Sequence, residues 1–185
     1  MNSARITFIL VMSLFVAGCA TLDEGQCRTA NWQDLGTRDG MAGYTASRLD
    51  EHRKACAEYG IRPEQDRYMS GRDLGLRQYC VFDNAVREGL AGRTYQNVCP
   101  PTVSGRFAEL NRSAYAVYSA RQDVDQLNSQ SASLERERRN DKTTPERKHK
   151  IRDELRELDR RLDRARDEVR SREGDLDRTT KLLVR

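Results

Sequence analysis

Residues 151–183 read IRDELRELDRRLDRARDEVRSREGDLDRTTKLL. Leu155, Leu162, Val169, Leu176 and Leu183 stand seven apart, and Ile151, Leu158 and Ala165 form a companion row. Two apolar rows at this spacing predict a helix with a coiled-coil seam. The preceding stretch has the same grammar: Leu110, Val117 and Val124 in one row, Ala120, Leu127 and Leu134 in the other. A hairpin demands that facing residue numbers add to a constant. Leu134 with Ile151, Leu127 with Leu158 and Ala120 with Ala165 each add to 285. Val124 with Leu162, Val117 with Val169 and Leu110 with Leu176 each add to 286. The centre of symmetry falls within Asn140 to Pro145, where Thr144-Pro145-Glu146 is a good helix start. An antiparallel helical hairpin over 101–185 is expected, with arms of roughly 50 Å at 1.5 Å per residue. Ser131, and Ser113 opposite Arg172, weaken the seam, and Gly174 is placed to bend the second arm. The alternatives are one long helix through Pro145 and a disordered tail.

Charge is dense between the seam positions, as in Asp153, Glu154, Arg156, Glu157, Asp159, Arg160, Arg161 and Asp163. Opposite charges three or four apart stabilise an exposed helix by a few tenths of a kcal/mol each. They read as a solvated face. Across all 185 residues, 33 basic side chains nearly balance 29 acidic ones, a pattern without a nucleic-acid patch. A charged fraction of 34% with 6% aromatics leaves too little apolar surface for a large core throughout.

Ahead of the hairpin lies a cysteine-bearing helical region, expected over 27–100 and ended by Pro100 and Pro101. Helices are expected from Trp32 to Tyr44, from a Ser47 cap to about Tyr59, and from Pro63 to about Cys80. Gly60 suits a left-handed stop, and Gly89, Gly92 and 95–101 read as a loop. Gly36, Gly40 and Tyr44 recur as Gly71, Gly75 and Tyr79 at a constant offset. An interior glycine costs a helix roughly 1 kcal/mol, so either close backbone approach between the two helices offsets it or the repeat is accidental. Cys27, Cys56, Cys80 and Cys99 make an even set that reads as two disulfides. Three pairings are possible. Antiparallel first and second helices would bring Cys56 back toward Cys27, which favours Cys27–Cys56 and Cys80–Cys99.

The chain opens with one basic residue, Arg5, an apolar run from Ile6, and Val16-Ala17-Gly18-Cys19. These are the marks of a signal peptide over 1–18. Small residues ending on a cysteine resemble the lipobox of bacterial lipoproteins. That resemblance implies lipidation of Cys19, a short tether over 19–26, and, since Ala20 is not aspartate, sorting to the outer membrane. A plain transmembrane anchor is the alternative.

Trp32-x3-Gly36-x2-Asp39-Gly40-x2-Gly43, then Cys56, Tyr68-x2-Gly71-x3-Gly75-Leu76-x2-Tyr79-Cys80 and Gly89-x2-Gly92-x2-Tyr95-x2-Val98-Cys99-Pro100 also form a pattern. It resembles a family of Gram-negative lipoproteins, domain of unknown function 2799, over about residues 19–118. The resemblance implies lipidation, an envelope location and a cysteine-bearing N-terminal domain, and brings no activity.

Chemistry-bearing motifs are sparse. His52 and Cys56 share a helix face but lack a second ligand pair, so no metal or cofactor is expected. No phosphate-cradling loop or serine elbow occurs. Asp39 with Tyr44, and Asp73 with Tyr79, read as caps and packing; Tyr115 and Tyr118 read as packing against the cysteine-bearing part. The fold expected is all-α: a small disulfide-bonded helical domain followed by a long antiparallel coiled-coil hairpin. The function expected is that of a non-enzymatic outer-membrane lipoprotein. Its hairpin would contact a protein partner or peptidoglycan, with membrane attachment through the N-terminal lipid. An envelope hydrolase with a site in the glycine-rich part is the alternative, and self-association through the hairpin is a third possibility.

Overall fold

The computed structural model describes residues 21–184, so the signal segment and Cys19 lie outside the described residues. Among the described residues the chain is all-helical. The helices are α1 (Glu24–Thr29), α2 (Trp32–Met41), α3 (Arg48–Ala57), α4 (Gln65–Tyr79), α5 (Phe82–Leu90), α6 (Pro101–Arg139) and α7 (Pro145–Leu183). Two disulfides join Cys27 to Cys56 and Cys80 to Cys99, the two pairs favoured from the sequence.

Four local expectations need correction. The described part of the stretch read as a tether, residues 21–26, is packed and partly helical: Leu22 is buried, and α1 starts at Glu24 on an Asp23 capping box with Gln26. That box is a sequence signal. Ser47 does not cap α3; its hydroxyl pairs with Thr45 instead. Helix α4 begins two residues after Pro63. Helix α5 stands where a loop was expected, its brevity and Gly89 masking a strongly amphipathic segment.

The glycines explain the core. Helices α2 and α4 run in the same direction, with Gly36 against Tyr68 and Arg72, and Gly75 against Thr37 and Met41. A Cβ at Gly36, Gly40, Gly71 or Gly75 would fall far inside contact distance of a backbone carbonyl on the facing helix. The constant offset between these glycines is therefore the register of two packed helices, not a repeated unit. Close approach lets Cα–H groups face carbonyl oxygens and buries backbone that would otherwise cost stability.

A different repeat is present. Arg38-Asp39-Gly40-Met41-Ala42-Gly43 ends α2, and Arg87-Glu88-Gly89-Leu90-Ala91-Gly92 ends α5. Both stops are built alike. Gly43 and Gly92 take φ of 73° and 77°, and the next residue's N–H reaches back to Asp39 O at 3.0 Å or Glu88 O at 2.9 Å. This is a Schellman-type end, which needs glycine at the left-handed position. Each stop meets a parallel partner helix in the same way. Gly40 abuts the carbonyl of Arg72 and Gly89 that of Asn111; Gly43 sits under the ring of Tyr79 and Gly92 under that of Tyr118. Arg72 then donates to Tyr44 O and Asn111 to Arg93 O, the residue after the glycine each time. Fully buried Tyr68 and Phe107 occupy equivalent places four residues earlier. There are two core clusters here, one holding Cys27 and Cys56, the other Cys99 with Cys80 packed against it, and α4 contributes Tyr68 to the first and Leu76 and Tyr79 to the second.

Helix α6 serves both the second pair and α7. Pro101 stands at its start, and Thr144 caps α7 by accepting from Arg147 N at 3.2 Å. Between them Thr143 donates to Glu137 O at 2.7 Å. Helix α7 returns along α6: Arg147 meets Glu137 at 2.7 Å, Arg121 meets Glu173 at 2.7 Å, and Leu183 packs with the Phe107 cluster. Leu127, Leu158 and Leu162 are buried together, flanked by Val124, Leu134 and Ala165.

Candidate functional site

Asp39 sits in the last turn of α2, on the side turned to α3 and α4, and is almost wholly buried. Its Oδ2 receives two hydrogen bonds, from Tyr68 Oη at 2.6 Å and from His52 Nε2 at 2.8 Å. The other imidazole nitrogen, Nδ1, lies 2.8 Å from the hydroxyl of Thr21. With Nε2–H committed to the carboxylate, Nδ1 accepts from Thr21 in the neutral ring and donates to the Thr21 oxygen in the charged one, so both forms are satisfied. Burial pushes the Asp39 carboxyl up, but the hydrogen bonds from His52 and Tyr68 outweigh it and hold it below its ordinary value. The Tyr68 hydroxyl is driven well above its ordinary value, first by burial and then by its bond to Asp39.

Hydroxyl, imidazole and carboxylate in a row are the order of a nucleophile relay. Here the geometry serves closure. His52 is 1% exposed, and the second oxygen-bound donor on Asp39 is a buried tyrosine. A cleft of about 620 Å³ lies elsewhere, beside the Cys80–Cys99 disulfide, lined by Arg72, Asp73, Leu76, Arg77 and Val98 among others. The relay therefore ties the segment at Thr21 to the first helix pair. Each buried hydrogen bond to a charged group is worth about 1.5–3 kcal/mol.

The residues singled out from sequence fall as follows. Cys56 is in a disulfide and His52 faces Asp39, so the pair is not a ligand set, and among the described residues no His, Cys, Asp and Glu group is arranged for a metal. The Asp39 carboxylate meets His52 and Tyr68, and Tyr44 reaches Asp39 only through its backbone N–H. Tyr118 packs on Gly92, while Tyr115 stays partly exposed. No cleft separates Gly36 from Gly71, because each is filled by the opposing backbone. Sequence reasoning missed the role of Thr21 and Tyr68, whose link to Asp39 is purely tertiary.

The motif string from Trp32 to Pro100 is thus the glycine contacts, the two stops and the disulfides of this fold. The family model described as "Protein of unknown function (DUF2799)" matches residues 31–116. Residues 31–116 are similar to that family. The matched segment takes in both helix pairs and ends within α6, before the pairing with α7 is complete. No curated protein and no solved structure matches the chain. The DUF2799 segment carries the polar cluster from Asp39 to Tyr68, whereas Thr21 lies ahead of it.

Proposed function

We propose that this chain is an outer-membrane lipoprotein, anchored through Cys19, that holds out a helical arm to touch a protein partner or the cell wall. It acts by position and contact, without catalysis. The observation that carries the reading is the seat of Thr21 on buried His52, two residues beyond Cys19. It supports an anchor fixed on the first helix pair, while α6 leaves from the second. Past Tyr118, about 20 residues of α6 continue alongside α7, roughly 30 Å at the helical rise. The seam of Leu127, Leu158 and Leu162 supports an antiparallel coiled coil there. Several acyl chains are needed for stable attachment, since one binds only marginally.

Metabolic labelling with radioactive palmitate tests the anchor. The expected result is label in the wild type, none in Cys19→Ala, and loss of that variant from the outer-membrane fraction. Label retained in Cys19→Ala, or wild-type protein free in the periplasm, contradicts the proposal. The Thr21–His52–Asp39 order is the one observation favouring a hydrolase. That reading requires His52→Ala to abolish turnover of cell-wall fragments while the fold survives; the present proposal requires no such turnover in the wild type.

A further inference from the structure

One exposed stripe of α7 is charge-patterned so that it complements itself. Lys150, Glu154, Glu157, Arg161, Arg164 and Glu168 are all exposed and spaced four and three apart, on one helix face. Read in order the signs are plus, minus, minus, plus, plus, minus. Reversed, the same string is its own opposite. This stripe edges a furrow between α7 and α6. Two cavities of about 490 and 310 Å³ share Gln130 and Arg161, and between them they are floored by Leu134, Leu158, Leu127 and Ala165. The α6 wall is formed by Gln126, Gln130 and Ser133, with Asp123 at one end as its one charged residue among those lining the two cavities. The opposite flank is bridged by the Arg121–Glu173 ion pair, and this flank by Arg147, which pairs with Glu137 of α6 and with Glu154 of the stripe.

We infer that this furrow docks a second copy of the chain, its α7 antiparallel to the first. Lys150 then faces Glu168 of the second copy, Glu154 faces Arg164, and Glu157 faces Arg161, each pair occurring twice about a two-fold axis. The interface is isologous, as closed dimers require. The charges also select the register. A slip of one heptad either way sets Glu157 on Glu168 or Glu154 on Glu157, and a parallel arrangement sets every charge on its like. Attraction in one register and repulsion in its neighbours is how such pairings gain specificity. The apolar floor supplies the area and the stripe supplies the alignment. The inference rests on the side-by-side packing of α6 and α7 and is independent of lipidation at Cys19.

Sedimentation of the full mature chain in density-matched detergent tests it, alongside two charge-reversed chains, E154R/E157R and R161E/R164E. The wild type is expected to dimerise in the range of about 1–100 µM, and each variant alone to associate at least about tenfold more weakly. Mixed together, the two variants are expected to regain a dimer containing one of each, because every reversed residue meets a reversed partner. Circular dichroism checks that both variants keep wild-type helicity. A photoreactive residue at Gln130 should give an adduct of twice the chain mass in membranes. A monomeric wild type at about 100 µM, variants that self-associate unchanged, a mixture that does not recover the dimer, or adducts only to other proteins or to cell wall would each overturn the inference.

Discussion

The α2–α4 and α5–α6 pairs use the same clamp and put its acidic residue to different uses. In the first, Asp39 is buried and gathers His52 and Tyr68. In the second, Glu88 is largely covered and forms an ion pair with Arg93 at 2.6 Å. The clamp is thus a general way of holding two parallel helices at close range. The buried cluster is an addition confined to the pair that receives the N-terminal segment. The pairs also end differently: α4 stops at Tyr79 beside a disulfide, whereas α6 runs on to Arg139. One pair receives the segment at Thr21, and the other continues into the packing of α6 with α7.

The largest expected effect separates the two interfaces. Gly71→Ala puts a methyl group into the backbone carbonyl of Gln33, which has little freedom to move, and should cost about 3 kcal/mol. Gly89→Ala meets the Ala114 side chain as well as backbone and should cost less. Denaturant titration of both variants tests the order; equal losses would mean the two contacts are equally rigid.

Next is Asn111→Ala. Its amide donates to Ala85 O at 3.2 Å and Arg93 O at 3.0 Å, and it accepts from Tyr95 N at 2.9 Å. Leaving these groups unpaired in a buried site should cost about 2–3 kcal/mol. Hydrogen exchange should show faster opening of α5 and the lower part of α6, with α2 and α4 little changed.

The two core clusters should also fail at opposite ends of the pH scale, the first through Asp39, bonded to Tyr68, and the second through Tyr79. Asp39 has a folded value below its ordinary 3.8, so its stabilising share is present above that value and lost as pH falls below about 4. Asp39→Asn should remove this acid limb and lower stability at neutral pH. Burial and the nearby Glu88 carboxylate raise Tyr79 from 10.0 to about 12, so its share is present below pH 10 and lost as pH climbs through 12. Tyr79→Phe should flatten the alkaline limb alone. Unfolding midpoints across pH check both.

The smallest effect belongs to the arm. Arg121→Ala breaks an exposed ion pair with Glu173 and should change stability by no more than about 0.5 kcal/mol. A larger loss would make that pair a fixture of the α6–α7 contact.

The all-helical class and the two cysteine pairs were legible because heptads, caps and cysteine parity act locally or at regular spacing. The glycine contacts were half legible: the cost of interior glycine pointed to close approach, but the matching offset hid the hexapeptide shared by α2 and α5. That hexapeptide is plain in the sequence once aligned at its own spacing. Helix α5 was missed because nine residues hold too few periods to outweigh a glycine. The buried cluster was illegible for a deeper reason. Thr21, Asp39, His52 and Tyr68 sit on four separate segments, and only packing brings them together.

The proposed role is contact with a partner by an arm held on an anchored base. Its most direct test is photocrosslinking in intact cells from position 142, in the turn between α6 and α7, at native abundance. A discrete adduct to an envelope protein or to peptidoglycan is the predicted result. No adduct at 142 or along either arm, from protein shown to be in the outer membrane, would contradict it.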